Sequence, residues 1–259
     1  MHILSLTVDL VLAAYIGWEV LRFNGRYRRL KQDIANEDTQ ARTRLYYRAL
    51  SFEWVSALLS LLALGFDWTK LNPEPLALSG SPMMQWLSAN GSFGRGAVAG
   101  IASGIAFGTV GFVVARIRGN RRAAPPARSS PPWLRKVLPD FSALLPATMH
   151  ERLLWSAVAV SAGVCEEIVF RGWLLATLHT PVGLAGTTLV AVAAVIFGLA
   201  HAYQRVTGIL VTTVAGALFC LLYVKTGSLL TPILLHILID LRFAVLPAPR
   251  LQKTQESYA

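Results

Sequence analysis

The sequence predicts an all-α protein, a polytopic transmembrane helical bundle of about seven to eight spans, with a short or broken helix around a Glu-Glu motif. Three observations carry this expectation. Hydrophobic residues make up 54% of 259 residues against 15% charged, with a mean hydropathy of +0.50, too oily for a soluble domain of this size. Apolar stretches long enough to cross a bilayer recur along the chain. The net charge of +10 is gathered into runs between those stretches, at 26–31, 42–48 and 116–136, which is how cytoplasmic loops are charged. No basic face on a recognisable reading module accompanies that charge, so nucleic acid is excluded as a partner.

Taken in order, candidate spans lie near 3–22, 49–66, 96–115, 152–178, 185–203, 207–225 and 229–246. The first has neither a basic leader nor a small-residue cleavage site, so it reads as a retained span, with Asp9 and Glu19 near the two interfaces where charge is cheap. Residues 22–48 carry both charge signs and no proline, which predicts a helix or helical hairpin on the cytoplasmic surface. Residues 67–95 are richer in Gly, Pro, Ser and Asn and poor in cations, a contrast that puts the N-terminus outside.

The third span carries Gly96, Gly100, Gly104 and Gly108 at four-residue spacing, a bare helix face for close packing. Residues 116–132, with Pro125-Pro126 and Pro131-Pro132, read as an extended cytoplasmic linker, and 133–146 as a short element on the membrane surface with an interfacial His150 beyond it. The stretch 152–178 is too long for one straight crossing and reads as one broken helix or two shorter ones; irregular backbone at depth is tolerated where it lines a cavity. With Arg250 and Lys253 inside, seven crossings satisfy the charge rule at both ends, and a re-entrant piece near the Glu pair would preserve sidedness. Three regions follow: N-terminal transmembrane helices with basic cytoplasmic loops over 1–148, an intramembrane core over 149–248 and a cytoplasmic tail over 249–259. Cys165 and Cys220 both lie in apolar spans and read as buried structural thiols.

From residue 155 to 246 the only acids are Glu166, Glu167 and Asp240, and the only histidines His179, His201 and His236. A charge at bilayer depth costs at least a few kcal/mol, so an adjacent Glu pair there calls for a function. Glu167 and Arg171 stand four apart in the favourable order for a helical ion pair, while Glu166, rotated by about 100°, is left without a local counter-ion. A carboxylate buried without a partner becomes a usable general base. His201 has Phe197 one turn before it, and His236 has Asp240 one turn after it. Three spans each deliver polar groups from one face, the way sites are built inside helical bundles. His179, next to Pro181, reads as a loop residue, and Arg205, Lys225 and Arg242 as interface anchors.

These runs, Glu166-Glu167-Ile168-Val169-Phe170-Arg171, Phe197 to His201 and His236 to Asp240, resemble the ordered EExxxR, FxxxH and HxxxN/D motifs of the CPBP, or Abi, intramembrane proteases, which include the CAAX prenyl endopeptidases and bacteriocin-processing proteins. The resemblance covers about residues 150–246 and implies a glutamate-dependent peptide hydrolase. By that analogy Glu166 and His201 would activate a water, His236 and Asp240 would stabilise the oxyanion, and Glu167 with Arg171 and Phe197 would support the site. Many members with prenyl-peptide activity carry Asn at the last position. Here Asp240 is expected to orient and charge His236 so that the imidazolium donates, which weakens the case for a prenylated substrate.

No cofactor is expected. Two histidines and carboxylates could hold zinc with a water in the open position, but the chain lacks HExxH, and the metal-free glutamate mechanism is favoured. The expected partners are a membrane-associated peptide or protein substrate and the lipid bilayer, in the inner membrane of a bacterium. Two other classes compete. A transporter or proton-coupled channel would use the same residues but predicts paired interrupted spans in two halves, and the sequence has no internal repeat. A non-proteolytic membrane scaffold would have no need of three intact motifs.

Overall fold

The computed structural model describes residues 2–71, 142–180 and 182–245, and every regular element among them is helical. The candidate span 96–115 with its four glycines, the linker 116–132 and the tail with Arg250 and Lys253 lie outside the described residues.

Helix α1 (His2–Ala35) and helix α2 (Ala41–Ala63) form a hairpin, as the proline-free 22–48 stretch predicts. At 34 residues α1 is about 51 Å long. In the turn, Asp38 accepts the Gln40 amide at 2.9 Å and pairs with Arg44, whose guanidinium holds the Asp38 carboxyl below its ordinary range. The start of α2 grips a distant segment: Arg42 Nε donates to the Ala143 carbonyl at 2.9 Å, and Tyr46 OH to the Leu144 carbonyl at 2.5 Å. These carbonyls belong to a 3-10 turn, Ser142–Leu144, that leads into α3 (Met149–Glu167). Thr148 caps α3 by accepting the Glu151 amide at 3.2 Å, and Glu151 accepts the Thr148 amide at 3.1 Å, a complete capping box.

The expected break after the Glu pair does not occur. α3 runs on through a π-helical segment, Ile168–Leu174, and a short α4 (Leu175–His179), so that Met149–His179 is one continuous 31-residue helical stretch. Its interior contains no proline; Pro146 and Pro181 lie outside its two ends. The wider π turn absorbs the irregularity that a break would otherwise take up. Helix α5 (Gly186–Ala200) leads through a 3-10 turn, Ala202–Gln204, into α6 (Arg205–Thr226), and α7 (Leu230–Leu241) follows. Met149–His179 and Ala202–Thr226 are each long and apolar enough to cross a membrane.

Helix α3 packs between α2 and α7, and α5 packs on α6. Two close approaches set these pairings. A Cβ on Gly163 would lie 3.0 Å from the backbone nitrogen of Ile237 on α7, and one on Gly198 would lie 2.8 Å from the Ile209 carbonyl of α6. Only glycine lets those helices come so near. The main core joins Leu12 of α1 to Phe170, Trp173 and Leu175 around the π segment and to Leu189 and Phe197 of α5. Asp9 accepts Trp173 Nε1 at 2.7 Å, tying α1 to the π segment.

Candidate active site

One cavity of about 500 Å³ opens between α1, α2, α3, α5, α6 and α7, and Glu166, Phe197, His201, His236 and Asp240 all line it. Phe197 with His201, and His236 with Asp240, reach it as pairs because residues four apart share a helix face.

Glu166 sits at the end of α3, and its Oε2 lies 3.9 Å from Nε2 of His201. His201 ends α5, where the helix gives way to the 3-10 turn, and its Nδ1 lies 2.9 Å from the Phe197 carbonyl. A carbonyl accepts only, so Nδ1 carries the proton. In the neutral ring Nε2 is then a bare lone pair aimed at Glu166. Glu166 Oε2 is buried and accepts no hydrogen bond. Two acceptors thus face each other across a gap too wide for direct bonding and suited to a bridging donor.

Behind this pair the second carboxylate is enclosed. Glu167 is 0% exposed and Arg171 1%, and Arg171 Nη1 donates to Glu167 Oε1 at 3.0 Å. Arg171 Nη2 also donates to the Gly216 carbonyl at 3.2 Å, and the guanidinium lies over the Phe197 ring at 4.5 Å. The same Glu167 oxygen accepts from His236 Nδ1 at 2.9 Å. His236 Nε2 lies 3.6 Å from Asp240 Oδ2, and the ring stacks on Phe219 at 5.3 Å. Phe197 touches most of the site: its ring is 4.7 Å from His201 and 6.3 Å from His236.

Of the seven residues singled out in the three motifs, five line one space, and Glu167 and Arg171 stand buried behind it. His179 does not join them; its Nδ1 bonds the Leu184 carbonyl at 2.9 Å in the loop after α4. Cys165 and Cys220 are buried free thiols. Arg242 is no mere interface anchor, since it lines the cavity with its guanidinium 4.5 Å from the Phe243 ring. Glu19, read as interfacial, lines the cavity as well, paired to Arg26 and, at 3.1 Å, to Arg48.

One cavity residue escapes the motif reading altogether. Glu53 of α2 is only 8% exposed, lines the same space and has Glu166, Asp240 and His236 as its charged neighbours. Its signal was available in the sequence as a lone acid inside the apolar span 49–66. Among the described residues no group of three or more His, Cys, Asp or Glu is disposed to hold a metal ion.

Comparison with known proteins bears on the same stretch of chain. Residues 148–242 match the family model described as Type II CAAX prenyl endopeptidase Rce1-like. No curated protein and no solved structure matches the chain. The matched segment begins at the Thr148 cap and ends two residues beyond Asp240, so it holds all three motifs and leaves Glu53 outside. Over residues 148–242 this membrane protein is therefore similar to the Rce1-like type II CAAX prenyl endopeptidases.

Proposed function

We propose that the chain is a multi-pass membrane endopeptidase that hydrolyses a peptide bond of a membrane-associated substrate by a metal-free glutamate mechanism. The observation that carries the reading is the 3.9 Å approach of Glu166 to His201 within the cavity that His236 and Asp240 also line. A water between the two acceptors can donate one hydrogen to each, which leaves its oxygen lone pairs directed at a carbonyl carbon. Glu166 takes the proton as the oxygen attacks, and returns it to the amine as the C–N bond breaks. His201, held by the Phe197 carbonyl, orients the water.

The tetrahedral intermediate carries its charge on the former carbonyl oxygen and needs a donor. His236 already spends its Nδ1 proton on Glu167, so it serves that oxygen only as the imidazolium, through Nε2. Glu167 on one side and Asp240 on the other favour that charged ring. Asp240 thereby substitutes, through His236, for the amide that an Asn would offer. The hydrolytic core lies in 149–248, helices α1 and α2 complete the cavity wall, and the inner membrane of a bacterium is the proposed location.

The test uses the full chain reconstituted in vesicles with two internally quenched peptides, one prenylated on a CAAX-type cysteine and one carrying an acyl anchor instead. Glu166→Gln and His201→Ala should each lower cleavage by about a hundredfold or more while thermal unfolding is retained. Undiminished cleavage by Glu166→Gln would falsify the assignment. Cleavage should also survive exhaustive chelation, and loss of activity with recovery on adding zinc would replace the metal-free mechanism. Comparison of membrane peptides from cells carrying the intact chain or Glu166→Gln then identifies the natural substrate.

A further inference from the structure

Glu53 is buried to more than nine-tenths, and its Oε2 has no hydrogen-bond partner. A carboxylate oxygen so placed is costly unless something donates to it. The side chain that faces it from α3 is the Ser161 hydroxyl, and the charged groups around it are Glu166, Asp240 and His236. Arg26 and Arg48 both pair with Glu19, and Arg171 pairs with Glu167. Arg242 lies against Phe243 with Asp240 as its acidic neighbour. With His236 as the imidazolium, the cavity around Glu53 holds the three carboxylates of Glu53, Glu166 and Asp240 against the two cations of His236 and Arg242.

We propose that Glu53 makes its wall of the cavity a subsite for a basic side chain, the ammonium of Lys or the guanidinium of Arg, of the substrate peptide close to the bond that is cut. The proposal rests on the endopeptidase reading and adds a specificity determinant that the family match, beginning well beyond α2, does not contain. An organic cation suits the site better than a metal ion, because the carboxylates and imidazoles form no metal-binding group among the described residues. A long basic side chain brings its own donors to the orphaned oxygen and leaves the Glu166–His201 gap free for water.

The experiment compares acyl-anchored fluorescent peptides that differ only in Lys, norleucine or Glu at one position beside the central bond. Binding to cleavage-dead Glu166→Gln protein in nanodiscs should favour Lys over norleucine by about tenfold, with Glu weakest, and the added change Glu53→Gln should erase the preference. In cleavage by otherwise intact protein, Glu53→Gln should raise KM for the Lys peptide by about tenfold at similar kcat and leave the norleucine peptide unaffected. Equal binding of Lys and norleucine peptides by protein that retains Glu53 overturns the proposal, and this comparison stands even if Glu53→Gln does not fold. A Lys preference that survives in folded Glu53→Gln protein overturns it too, as does stoichiometric zinc or magnesium binding by calorimetry that Glu53→Gln abolishes. If no peptide is cleaved while the Lys preference in binding holds, the endopeptidase reading fails and the cation subsite stands.

Discussion

His236 Nδ1 donates to Glu167 Oε1 across 2.9 Å, joining the last described helix to the Glu-Glu motif helix through a carboxylate that is wholly buried. Glu167 serves Arg171 from the same oxygen, so one side chain neutralises a buried guanidinium and fixes the His236 imidazole. Glu167→Gln should therefore cost about 3–5 kcal/mol, since it strands Arg171 without its counter-charge. Thermal unfolding in detergent should show a large loss for Glu167→Gln and little change for Glu166→Gln; equal melting of the two variants would contradict this division of roles.

Asp240 is proposed to act by way of His236, and its two replacements separate that role from packing. Asp240→Asn presents a neutral amide at the position 3.6 Å from His236 Nε2, where it can donate to the oxyanion itself. Cleavage should stay within about tenfold of the parent. Asp240→Leu supplies neither charge nor donor and should lose about a hundredfold or more in kcat. Similar losses in both variants would remove Asp240 from oxyanion stabilisation.

Gly198 holds α5 against α6 one residue into the FxxxH motif. An added methyl would meet the Ile209 carbonyl at 2.8 Å and also strike Thr213, so Gly198→Ala must push the helices apart. The expected cost is about 1–3 kcal/mol. Because His201 hangs from the end of α5, melting temperature and kcat should fall together, and a fall in stability with unchanged kcat would show that the displacement does not reach His201.

Thr148 caps α3 at the opposite end from the Glu pair. Thr148→Ala removes the acceptor for the Glu151 amide and should cost about 1 kcal/mol, read as a lower melting temperature at unaltered KM and kcat.

Local periodicity explains why so much of the site was legible before any coordinates. Glu167 and Arg171, Phe197 and His201, and His236 and Asp240 are each one helical turn apart, and one turn is enough to put both members on one face. The helical hairpin over 22–48 was equally legible, because no proline interrupts two charged helical stretches. The π segment was not, since the shift to a wider turn at Ile168–Leu174 follows from packing around it and has no residue marker of its own. Trp173 bonding Asp9 lies 164 residues apart along the chain and leaves no trace in any local pattern.

The sequence by itself determined that ionisable groups occur in apolar helices and which of them share a helix face, because both follow from composition and a 3.6-residue repeat. Only the tertiary structure decided that Glu166 looks at His201, that Glu167 rather than Asp240 makes the close bond to His236, and that Glu53 from a helix outside the motifs joins the same cavity. The physical reason is that periodicity fixes directions within one helix, whereas the rotation and distance between helices come from side-chain packing and from close approaches such as those at Gly163 and Gly198.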